Sequence, residues 1–186
     1  MDVEQLIDND RAFIGETSIT TFLRERILGG ECRMLEAAQQ ANVRQSVADH
    51  FSIHVNHVII VGSAKLGYSV SPEKSLKAFD DQSDVDVAIV NPKLFEKYWL
   101  DMYQAKRAMV EWPTVGDARK YLFQGWIRPD KLPLLEIRNT WFDFFAGLQS
   151  TDQCSPYPVR GGLYFNHEFL EYYQLNGVSK TFEGAG

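Results

Sequence analysis

Asp84 and Asp86 flank a single valine in the stretch Ser83-Asp84-Val85-Asp86-Val87-Ala88-Ile89-Val90. In an extended chain alternate residues share a face, so Val85, Val87 and Ile89 point one way and the two aspartates the other. Their Cα atoms then stand about 6.6 Å apart. Carboxylates so placed can converge on one hard cation or bracket two, and two-metal phosphoryl-transfer sites hold their ions about 3.5–4 Å apart. The same pattern also arises where a strand simply begins in water. Upstream, an apolar run ends in Gly62-Ser63. Glycine lets backbone amides approach an anion closely, and serine adds a hydroxyl. A helical turn at Ala64-Lys65-Leu66 would present its N-terminus to phosphate, with Lys65 adding charge. A plain strand-ending turn has the same composition.

Two strands must position these residues. Asn56 to Val61 is short, apolar and β-branched and is expected to be buried, and Val85 to Val90 is the second. Between them Ala64 to Ser83 reads mostly as loop. A helix is expected from Glu31 to about Phe51, with Leu35, Ala38, Val43, Val47 and Phe51 on its apolar face. Asn91-Pro92 supplies an N-cap and a first-turn proline for a helix over Lys93 to Glu111. Asp117 to Gln124 and Leu135 to Leu148 are further helices, the latter carrying the aromatic run Trp141 to Phe145 into the core or an interface. Gly125 to Pro133 reads as a loop, Val159 to Phe165 as a late strand, and Glu168 to Gln174 as a short final helix before a frayed tail. The first thirty residues are ambiguous, with a short helix over Thr17 to Leu28 stopped by Gly29-Gly30.

Taken together, IIVGSAKLGYS and SDVDVAIV resemble the signature of the nucleotidyltransferase superfamily with the DNA polymerase β-like fold: an apolar strand, Gly-Ser, a spacer, and Asp-x-Asp in the next strand. The resemblance covers about 35 residues, nearest to compact bacterial members, some of which serve in toxin–antitoxin or anti-phage systems. It implies an α+β fold, a small mixed β-sheet flanked by helices with added helices in the C-terminal half. One domain over residues 1–186 with a core at about 33–175 is expected. By position, Gly62 and Ser63 would hold the triphosphate of a nucleotide, ATP being the expected one, and Asp84 and Asp86 would bind Mg²⁺ or Mn²⁺. The activity implied is transfer of a nucleoside monophosphate to a hydroxyl on a protein, an RNA or a small molecule. The alternative is a catalytically degenerate nucleotide- or RNA-binding subunit of a larger complex.

Two departures stand out. The spacer is long, with Ser71 to Asp81 as an inserted flap whose Lys74 and Lys77 either touch phosphates or face solvent. The third carboxylate that active members place on a later strand is missing from Val159 to Phe165; Glu168, Glu136 and the non-basic Asn166 are the nearby residues. Arg160 on that strand faces either the cleft or solvent. Arg128 is either a phosphate clamp, with Trp126 stacking on a base, or half of a surface pair with Asp130. His50, His54, His57 and His167 lack metal-ligand spacing and read as structural.

The whole chain narrows the setting. A net charge of −6 argues against nonspecific binding of bulk nucleic acid. Two cysteines make no disulfide framework, so a reducing cytoplasm is the expected compartment. The acidic start MDVEQLIDNDRAF does not resemble a signal peptide, and no apolar stretch reaches membrane-spanning length. A protein partner or self-association is compatible with the aromatic-rich C-terminal half.

Overall fold

The computed structural model describes residues 2–74, 76–149 and 154–183. Its centre is β2, Val85–Val90, whose alternation splits the molecule into two faces. Strand β1, Val58–Val61, runs antiparallel beside it, with Val61 opposite Asp86. On the other side β4, Val159–Tyr164, runs parallel, with Arg160 opposite Asp86 and Gly162 opposite Ala88. A two-residue strand, β3 at Trp126–Ile127, closes the order β1-β2-β4-β3 by pairing antiparallel with β4. With eight helices among the described residues, this is an α+β protein around an open mixed sheet.

One face buries Val85, Val87, Ile89, Val159 and Leu163 under α3 (Ala37–Phe51), α5 (Pro92–Arg107) and α7 (Glu136–Gln149). Trp141, Phe145, Tyr98 and Phe51 interlock there, and burial of each such side chain contributes on the order of 2 kcal/mol. Phe142, in the same aromatic run, stays exposed. The other face buries Val61, Ala88, Val90 and Tyr164 under α8 (His167–Phe182) and the N-terminal segment. At β4 the glycine pair permits both coverings. A Cβ on Gly161 would strike the Phe145 ring, and one on Gly162 would lie 2.8 Å from Trp126 Nε1.

Local signals explain most boundaries. Asn91 accepts a hydrogen bond from the Leu94 amide at 2.9 Å, which starts α5 where the Asn-Pro pair required. Helix α3 begins later than composition suggests, because Glu36 and Gln39 form a capping box. Residues ahead of it lie instead along α4, Ser63–Leu66, with the Arg33 and Met34 amides bonded to Lys65 O and Ala64 O. Helix α6 spans Val115–Phe123. The expected loop after it contains β3 and a tight turn at Pro129–Lys131.

The N-terminal segment is ordered into α1, Val3–Glu16, and α2, Ile19–Phe22, which widens into a π-type turn over Leu23–Gly29. Phe22, Leu23 and Ile27 are fully buried, so the hydrophobic core extends ahead of residue 33. Helix α8 likewise continues well past Gln174, and its last turn is packed: Phe182 meets Phe22 edge-on, and Thr181 donates to Val70 O at 2.8 Å. The expected fraying is therefore not found through Phe182, while residues 184–186 lie outside the described residues. No helix among the described residues is long and apolar enough to cross a membrane.

Candidate functional site

The two aspartates share the α8 side of the sheet, at the end where β1 finishes and β2 and β4 begin. Across the β1–β2 pair Asp86 is opposite Val61, and its carboxylate lies against the next residue, Gly62. A Cβ on Gly62 would come within 2.5 Å of Asp86 Oδ2, and Gly62 has φ +73°, a conformation that disfavours other residues. Strand pairing thus brings the Gly-Ser turn and the aspartate pair into contact, although a long loop separates them in sequence. Asp86 is open to water yet crowded by the surrounding chain. Loss of hydration, then repulsion from Asp84, push its pKa up to about 6, against the pull of Lys74 and Arg160.

Ser63 opens α4, a single turn whose leading backbone N–H groups have no intrahelical acceptor. Its hydroxyl is half-buried and makes no hydrogen bond among the described residues. Lys65 is directed elsewhere. It is buried, burial lowers its pKa, and its neighbours are the Cys32 thiol, Arg44 and Glu31 rather than the aspartates. Arg128 is already committed: it grips Asp130 with Nε and Nη2 at 2.9 and 3.1 Å, donates to Tyr121 Oη at 3.1 Å and lies over the Tyr121 and Trp126 rings. The Arg128–Asp130 pair is the alternative the geometry favours. Trp126 stacks parallel to Tyr164 and against Tyr173, with its Nε1 buried and lacking an acceptor among the described residues.

The loop beneath the site is held from behind by groups whose role was not visible in the sequence. Asp10 of α1, 1 % exposed, receives two hydrogen bonds from Arg33 and one from Tyr68 Oη at 2.8 Å. Arg33 also donates to Leu66 O at 2.8 Å, tying the end of α4 to this network. Within the flap Lys77 pairs with Asp80 at 2.8 Å, whereas Lys74 bears on Asp86; Ser75 lies outside the described residues.

Arg160 occupies the position abreast of Asp86 on the neighbouring strand. Its Nε lies 3.0 Å from Asp84 Oδ1. A signal for this was present: Arg160, Gly162 and Tyr164 alternate along β4 as Asp84, Asp86 and Ala88 do along β2. Asn166 caps α8 by accepting from the Phe169 amide, Glu168 follows in the first turn, and Glu136 lines a groove at the opposite end of β2. His54 and His57 line that groove too. The His57 Nδ1–H donates to Val90 O at 2.6 Å, and His54 Nδ1 accepts from the Asn56 amide.

No group of three His, Cys, Asp or Glu residues capable of holding a metal ion occurs among the described residues. Two carboxylates on one face fit a magnesium ion that takes its remaining oxygens from water and phosphate. They offer no protein ligand set for a second ion. Compared with protein-family models, curated proteins and solved structures, the chain matches none.

Proposed function

We propose that the protein binds a nucleoside triphosphate with Mg²⁺ and transfers the nucleoside monophosphate to a hydroxyl acceptor. The observation that carries this reading is the contact of Asp86 with Gly62, which joins an anion-compatible turn to a cation-compatible carboxylate pair. Asp84 and Asp86 would hold the ion, which when bound would neutralise charge on the phosphates. The Ser63 hydroxyl and the leading amides of α4 would donate to phosphate oxygens, and Gly62 leaves room for the Asp86 carboxylate beside them. The acceptor oxygen would form its bond to the α-phosphorus as the bond to pyrophosphate breaks, with the hydroxyl proton passing to solvent. Orientation and charge neutralisation supply such catalysis, so the site needs no nucleophile of its own.

A second reading is a nucleotide-binding subunit without turnover. It is favoured by Arg160, a cation where a third carboxylate would be expected. One assay separates the two. The protein is incubated with Mg²⁺ or Mn²⁺ and each labelled nucleoside triphosphate, alone and with cell extract. Pyrophosphate release or label transfer that disappears in Asp84→Ala and Asp86→Ala supports transfer. Binding without turnover under every condition supports the subunit.

A further inference from the structure

Arg160, the one charged residue of β4, meets the aspartate pair by strand register. Parallel pairing sets it abreast of Asp86, on the same face, and its Nε reaches Asp84 Oδ1 at 3.0 Å. The contact is shallow: the Arg160 side chain is 70 % exposed and that of Asp84 24 %. Ion pairs of this kind contribute little net stability and exchange readily. The next residue on the same face, Gly162, has no side chain to hold the guanidinium in place, and Arg160 has no other ion-pair partner among the described residues.

We infer that Arg160 is an exchangeable counter-ion of the site, resting on Asp84 and moving to a nucleotide phosphate when a divalent cation takes that carboxylate. The inference rests on the nucleotide and metal reading above and assigns to it a positioning residue. A metal ion on Asp84 would share the carboxylate with a guanidinium 3.0 Å from Oδ1, and the two cations repel, so they compete. A phosphate arriving with the ion offers the displaced guanidinium a better partner, since its fork of N–H donors matches phosphate oxygens. Metal and nucleotide should therefore bind cooperatively. By itself the ion must displace Arg160 without compensation.

The test is binding rather than turnover. Mn²⁺ affinity is measured by electron paramagnetic resonance on the whole protein, with and without a nucleotide bearing a methylene bridge between the α and β phosphorus atoms. Affinity for that nucleotide is measured in parallel. In Arg160→Ala, Mn²⁺ alone should bind about two- to five-fold more tightly, the nucleotide more weakly, and their mutual enhancement should shrink. Arg160→Lys should keep part of the enhancement. A simple loss of structure would weaken both ligands together and lower the melting temperature, whereas opposite signs mark an exchange. Unchanged or weaker Mn²⁺ binding in Arg160→Ala, with nucleotide binding intact in the wild type, overturns the inference and leaves the proposed function standing. A wild-type protein that binds neither Mn²⁺ nor the nucleotide overturns both.

Discussion

Gly62 is constrained twice, by its positive φ and by the Asp86 carboxylate lying against its Cα. Gly62→Ala should cost about 1–3 kcal/mol of stability and weaken nucleotide binding, both measurable on one sample by urea denaturation and titration. Asp86 carries a second consequence. Its raised pKa means the folded protein holds a proton there more firmly than the unfolded chain does. Stability from this group is full below the ordinary aspartate range and is lost as pH rises through about 6. In metal-free buffer Asp86→Asn should therefore raise the melting temperature at pH 7, and the gain should fade between pH 6 and 4. A gain that does not change with pH would contradict the crowding ascribed to this carboxylate. The aspartates and their facing were legible in the sequence because period two is strict in a strand. The orientation of Lys65 was not, since the side chain of a one-turn helix is aimed by whatever packs around it.

At the level of elements, α4 is short and depends on what lies behind it. Asp10, Arg33 and Tyr68 form a satisfied buried network that fixes the Leu66 carbonyl. Asp10→Ala leaves Arg33 and Tyr68 without their shared acceptor and should cost about 3 kcal/mol, read as a lowered urea midpoint. Partial loss of nucleotide binding should accompany it if the network positions the turn. Helix α1 was obscure in the sequence for the same reason: Asp10 occupies a core-facing position where an apolar residue would have marked the periodicity. The sequence predicts a shorter α8 because Gln174 and Gly177 interrupt the apolar series around Leu170, Val178 and Thr181. Gly177 is there for packing, since a Cβ would stand 3.2 Å from Val70 O. Strand β3 is not legible in the sequence because two residues in a Gly- and Pro-rich stretch carry no period at all.

Across the whole molecule, the site occupies one end of one sheet face, and its parts come from β1, the turn after it, β2 and β4. A ligand bridging them should stabilise the fold as a unit. Mg²⁺ with a nucleoside triphosphate at about 100 times its dissociation constant should add about 2.7 kcal/mol, seen as a raised melting temperature. EDTA should reverse that gain, and Asp84→Ala should not show it. The mixed sheet with flanking helices was legible because each strand and each long helix carried its own pattern. Strand order was not, because pairing between distant segments leaves no local trace.

Strand β4 is made far downstream of β2, yet it lies directly beside β2 and is the sole partner of β3 among the described residues. Until it docks, β2 has an open edge, β3 has nothing to pair with among the described residues, and the Asp84–Asp86 pair lacks its Arg160 counter-charge. The same strand carries Arg160. Closing the sheet and bringing a cation to the aspartate pair are thus one docking step.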